Sequence, residues 1–232
     1  MDSATVSQTK GPQMIKRILW IVMAIVALIS PVVADPTFFG PSGLISMPTA
    51  ESLEYQQFNV GYDFRGTGKD QQGYYKFNMG MFKNVELGIV GGATPTEGVF
   101  INVKYFLISD ATRYPMSFAV GLQNLASKSD TGLYLVMSKK FQGGLSGHLG
   151  FNTFISDQID PTLMGGIEYM VSDHMSFLAD FSGKQKTYTL NGGLRFAIYP
   201  DLSLRVNILN IGRQSTDGGS YYSVGLAYNR FM

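Results

Sequence analysis

Ser220-Tyr-Tyr-Ser-Val-Gly-Leu-Ala-Tyr-Asn-Arg-Phe-Met232 is the stretch on which the fold turns. Tyr222, Val224, Leu226 and Tyr228 fall on one face, and Ser223, Gly225, Ala227 and Asn229 on the other. A period of two with unlike faces is the pattern of a β-strand. No segment follows it here, so in an open sheet its outer edge would present unpaired N–H and C=O groups, a template for aggregation. Pairing it with the first strand removes that edge and closes the sheet into a barrel.

The same unit recurs from Tyr55 onward: about ten alternating residues, then a turn-rich break. Twelve units are legible. Phe58, Val60, Tyr62 and Phe64 make the apolar face of the first, Tyr75, Phe77, Met79 and Met81 that of the second, and Leu202, Leu204, Val206 and Ile208 that of the eleventh. Strands of ~9–11 residues cross a bilayer at a tilt, and an even strand number suits a single-chain bacterial barrel. The fold expected is a transmembrane antiparallel up-and-down β-barrel of about 12 strands.

With each phase fixed by the apolar residues alone, the mid-strand charges land on the opposite face. Asp63, Lys76, Glu86, Lys104, Glu168, Asp180, Arg195 and Arg205 point inward, and so does His148. A lone Lys or Arg facing lipid at the midplane costs about 2–4 kcal/mol, so the apolar face is read as the lipid face. Four inward cations match four inward carboxylates. That balance suggests an internal salt-bridge network filling the lumen; a charge-lined channel is the alternative. The breaks alternate in length. The longer set, such as Gly91–Glu97, Ser156–Pro161 and Gly212–Gly219, is expected outside, and the turns Lys83-Asn84, Ser172-Asp173 and Pro200-Asp201 in the periplasm.

The opening stretch also resembles the C-terminal signal by which bacterial outer-membrane barrels are recognised for insertion. Ser223, Gly225 and Tyr228 match it, while Arg230 occupies a usually apolar position and Phe231 stands one place late. The resemblance implies a Gram-negative outer membrane, contact with its lipid, and the barrel-insertion machinery as a partner.

The other end agrees. Lys16 and Arg17, the apolar run Ile18–Ile29 and the exit Ser30-Pro31-Val32-Val33-Ala34 read as a signal peptide over residues 1–34, with Met14 as the better start. Without Lys10, Lys16, Arg17 and Asp2 the remainder carries 15 basic and 16 acidic residues. That balance gives no reason to expect a nucleic-acid partner. Zero cysteines exclude disulfides, thiolate metal sites and a lipid-anchored cysteine. His148 and His174 are too few for a metal site, and no cofactor is expected.

Ser146 and His148, two apart on one strand face with Asn152 beyond, are the only near-motif for nucleophilic catalysis. Polar lumen filling is the plainer reading, and the chain is read as non-enzymatic.

Residues 35–54 carry no periodicity and many Gly and Pro. They could form a periplasmic arm, a lumen plug, or a short extra strand at Gly43–Met47. Gly40-Pro-Ser-Gly-Leu-Ile-Ser-Met-Pro-Thr-Ala50 resembles the mature N-terminus of YjbH-like outer-membrane proteins, with Gly43, Leu44, Ile45, Pro48, Thr49 and Ala50 carrying the likeness. The resemblance implies a short, single-barrel relative (residues 55–232). It would serve envelope or exopolysaccharide export or assembly, with polysaccharide-export proteins as partners. A narrow porin-like solute channel is the alternative, and a lipid-modifying enzyme a third reading.

Overall fold

A computed structural model describes residues 35–67, 70–92, 98–108, 116–126, 131–155, 161–184, 187–211 and 219–232. The signal-peptide reading and most of the long-loop set fall outside them. Among the described residues there are twelve strands: β1 (Gln57–Thr67), β2 (Asp70–Phe82), β3 (Val85–Gly91), β4 (Phe100–Ile108), β5 (Ser117–Leu125), β6 (Gly132–Lys140), β7 (Leu145–Phe154), β8 (Thr162–Ser172), β9 (Met175–Lys184), β10 (Thr187–Tyr199), β11 (Leu202–Leu209) and β12 (Tyr221–Phe231). Each pairs antiparallel with its sequence neighbours, and β12 returns to β1, so the sheet is a closed barrel.

The closing seam sets Val60 against Tyr228, Tyr62 against Leu226 and Asp63 against Gly225. Gly225 is needed there, because a Cβ at that position would overlap Asp63 Oδ1. At one end of the barrel three hairpins close through two described residues each: Lys83-Asn84, Asp173-His174 and Pro200-Asp201. The second of these lies one residue later than the sequence suggests. Asn84 adopts φ 67°, a left-handed geometry that asparagine tolerates in turns. Register shifts sit beside these turns, at Gly80/Phe82, Met170/Ser172 and Ala197/Tyr199. Such bulges raise twist and end pairing cleanly at a barrel rim. This is the turn end; the opposite one is the loop end.

The two faces are sorted as the alternation requires. Val60, Tyr62, Phe77, Ile101, Leu135, Phe177 and Val224 lie exposed on the outside. Asp63, Lys76, Glu86, Lys104, Asp180, Arg195 and Arg205 are buried inside, each at most 3% exposed. The interior is not only polar. Tyr74, Val90, Leu178 and Leu209 point inward around Phe38, Leu44 and Ile45. Ala119, Tyr134, Val136 and Met164 surround Met47 and Ala50. Both apolar clusters combine wall residues with residues of the 35–54 segment, which lies within the barrel as a plug.

Candidate functional site

The plug has almost no regular structure. Two isolated bridges, Pro36–Ser42 and Gly43–Pro48, mark two reversals of direction. Gly40 stands at the first with φ +113°, and a Cβ there would strike Val90 and Asn102. An irregular segment in a closed space leaves backbone N–H and C=O groups that must find partners. Some close within the segment, as from Phe38 N to Ile45 O and from Leu44 N to Met47 O, and the inward charges of the wall supply many of the others.

Asp180 on β9 accepts hydrogen bonds from three consecutive backbone amides, Ile45 at 3.0 Å, Ser46 at 2.7 Å and Met47 at 2.9 Å. It also accepts from the Ser46 hydroxyl at 3.0 Å and the Asn191 amide at 2.7 Å. Glu86 on β3 accepts from the Ser42 amide at 2.8 Å, the Ser42 hydroxyl at 2.6 Å and the Leu53 amide at 3.1 Å. Lys104 on β4 donates to the carbonyls of Ser42 at 2.9 Å and Glu51 at 2.6 Å, touches the Ser42 hydroxyl, and lies 3.4 Å from Glu86. Such bonds to ionised groups are stronger than neutral ones.

A second group holds the start of the arm. Arg195 on β10 reaches Asp35 at 3.2 Å, Glu168 at 2.8 Å and the Gly43 carbonyl at 3.3 Å. Asp35 also accepts from Ser203 at 2.6 Å and Asn229 at 2.9 Å. Arg205 donates to the Pro36 carbonyl and to Asp63, the latter at 3.0 Å. Lys76 donates to the Thr37 carbonyl at 2.6 Å and to Asp63. Asn78 donates to the Gly40 carbonyl at 2.8 Å and Asn102 to the Phe39 carbonyl at 3.1 Å.

The inward charges therefore meet one another only in part. Asp63 joins Lys76 and Arg205, Glu86 joins Lys104, and Glu168 joins Arg195. Asp180 holds plug amides rather than a cation. The expectation of a self-contained network changes accordingly: the network is built around the plug. Within the likeness string, Leu44, Ile45 and Ala50 are nearly inaccessible and Thr49 is 3% exposed. Several wall partners escaped the sequence reading, among them Asn78, Asn102, Ser138, Asn191 and Ser203. Their signal was present, since each stands at an inward position of its strand.

His148 on β7 is buried. Its Nδ1 is 2.7 Å from the Ser138 hydroxyl, which also accepts from the Ala50 amide at 2.8 Å. Glu51 is 4.0 Å from the same nitrogen. A Ser-His-acid relay needs hydroxyl and carboxylate on opposite ring nitrogens, so this arrangement holds the arm rather than activating a nucleophile. Ser146 lies instead on the wall of a cavity. Burial pushes the Glu51 carboxyl up, but His148, the Thr49 side chain and Lys140 overcome this and hold it below its ordinary value.

The plug leaves a cavity on each side. The turn-end cavity, about 190 Å³, is lined by Glu51, Lys140, Ser146, His148, Glu168 and Arg195. The loop-end cavity, about 260 Å³, is lined by Phe38, Phe39, Arg65, Ser182, Thr189 and Tyr221, among others. Among the described residues no cluster of three His, Asp or Glu side chains is arranged to hold a metal ion.

No family model and no curated protein matches the chain. Solved structures do. The chain is similar to the KdgM porin (TM-score 0.59, 17% identity, covering 75% of this chain and 99% of that one). It is similar to the same porin in complex with disordered oligogalacturonate (0.56, 16%, 76% and 99%), and to the NanC porin (0.53, 13%, 75% and 99%). Likeness at these identities establishes the fold: this is a porin-type barrel.

Proposed function

We propose that the chain is a narrow outer-membrane solute channel whose constriction is its own N-terminal arm. Carrying this reading is the sequence of spaces along the barrel axis: a cavity, a plug at mid-height, and a second cavity, inside a porin-type wall. The location is the outer membrane of a Gram-negative bacterium, with the turn end in the periplasm. The C-terminal strand, with Gly225, Tyr228 and Phe231, is the part presented to the insertion machinery.

The arm sets the size limit. With residues 35–53 filling the lumen between cavities of about 190 and 260 Å³, the solutes of this reading are small single molecules. Polysaccharide export is the second reading, favoured by one observation: the string that resembles the exopolysaccharide-linked proteins is the plug itself. Export would require a partner to displace the arm and with it the bonds of Asp180, Glu86, Lys104 and Arg195.

Single-channel recording in planar bilayers, with the intact barrel and with a deletion of residues 36–53, tests both. A small wild-type conductance that rises severalfold in the deletion supports the channel. A silent wild type with a conducting deletion favours a sealed barrel opened by a partner. Silence in both overturns the channel reading.

A further inference from the structure

We propose that the loop-end cavity is a capture site for a small organic anion carrying a flat apolar face, with Arg65 as its charge partner. Its role in transport rests on the channel reading above; the binding itself does not.

Arg65 differs from the four cations buried inside the barrel. Lys76, Lys104, Arg195 and Arg205 are each bound to a carboxylate and to a plug carbonyl. Arg65 forms no ion pair with any described residue. Its guanidinium lies 3.9 Å from the centroid of the Tyr221 ring and 5.7 Å from that of Phe38. Stacking engages the face of a guanidinium and leaves its in-plane N–H groups pointing outward, the geometry that receives a carboxylate through two parallel bonds. The nearest carboxylate on the same strand face, Asp63, is already held by Lys76 and Arg205. Asp180, beyond the floor, is filled by plug amides. Neither neutralises Arg65.

The rest of the cavity fits such a ligand. Phe39, on the plug, exposes half of its surface and lines the same space. A ring lying on it would share the cavity with Arg65. Ser182 and Thr189 add hydroxyls to the rim, and hydroxyls can donate to a carboxylate oxygen. A volume of about 260 Å³ is below the range of drug-sized ligand pockets and suits an occupant of a single ring with one acidic group. The turn-end cavity lacks this character, since Glu51 and Glu168 oppose Lys140 and Arg195 there.

The probe is benzoate, titrated calorimetrically into the folded full-length barrel in neutral detergent. Acetate serves as the anion without a ring and benzamidine as the ring with a positive charge. Benzoate binds, acetate binds at least tenfold more weakly, and benzamidine gives no saturable heat. Arg65→Gln lowers benzoate affinity at least tenfold; Phe39→Ala, which removes an exposed ring from the plug, lowers it severalfold. Heat-modifiable gel mobility establishes that each variant is folded. Benzamidine binding as tightly as benzoate overturns the proposal, as does unchanged affinity in a folded Arg65→Gln or Phe39→Ala barrel. Conductance without benzoate binding removes the site and leaves the channel. Binding without conductance does the reverse.

Discussion

The wall and the plug of this barrel are held by opposite means. The wall is held by its own backbone: each of the twelve strands pairs on both sides, so its N–H and C=O groups are satisfied by neighbours of the same kind. The plug has two isolated bridges and a few turn bonds of its own, such as Phe38 N to Ile45 O at 2.7 Å and Leu44 N to Met47 O at 3.0 Å. Much of the rest of its backbone is satisfied by the side chains of others, Asp180, Glu86, Lys104, Arg195, Arg205, Asn78 and Asn102. The lesson is that buried charge in this lumen serves main-chain hydrogen bonding. It is not surplus charge left for a passing ion, a role that falls instead to the half-buried Arg65 of the loop-end cavity.

This contrast is open to direct attack. The largest effect is expected where losing one side chain leaves a buried carboxylate without its cation. Lys104→Met leaves Glu86 buried beside unpaired plug carbonyls, and breaking a buried pair from one side costs about 3–5 kcal/mol. Guanidinium unfolding of the detergent-folded barrel measures it, and a loss below 1 kcal/mol would show that the plug is loosely held. On the wall, Leu135→Arg places a cation at mid-strand on the lipid face and should cost about 2–4 kcal/mol in bilayers. The same variant in detergent should lose much less, so vesicle and micelle unfolding are compared.

Asp180→Asn comes next. It keeps the shape and removes the charge that gathers three amides, each charge-assisted bond contributing about 1.5–3 kcal/mol. A net loss of about 2 kcal/mol is expected, because the amide oxygen retains part of the acceptance. Conductance should rise as the Ile45–Met47 turn loosens. The smallest effect is at Glu51. Its folded pKa lies below the ordinary 4.5, so its contribution is present above that value and fades as pH falls through the lower, folded one. Glu51→Gln should therefore destabilise slightly at neutral pH and converge with the wild type in acid. Parallel stability curves down to the lowest pH would contradict this.

The wall was readable because a strand's parity is a local property. Apolar residues fixed the phase, and the charges then had one place to go. The plug was not readable, because an irregular segment is positioned by partners scattered from β2 to β12. Asp180 could be assigned to the inside from its strand; that its partners would be Ile45, Ser46 and Met47 could not. One trace of the plug was nevertheless written in the wall. In β6 the inward face carries Tyr134 and Val136, and β3 and β9 carry Val90 and Leu178 inward. Apolar residues on the inner face of a wet lumen have no purpose unless something dry covers them. Those positions mark the arc where the plug lies. The partner of His148 was hidden for a related reason, since it is Ser138 on the adjacent strand and only the pairing of the two strands reveals it.

The meeting of Asp63 and Gly225 has a bearing on how the ring is completed. Asp63 belongs to the first strand and Gly225 to the last, and the carboxylate also joins Lys76 on β2 to Arg205 on β11. A slip of one residue at this junction would bring Val224 or Leu226 against a carboxylate that has no space for either, and would turn the oily face of the final strand inward. Completion one residue out of register is therefore rejected on contact, and a single carboxylate serves as the checkpoint that the first and last strands have met correctly.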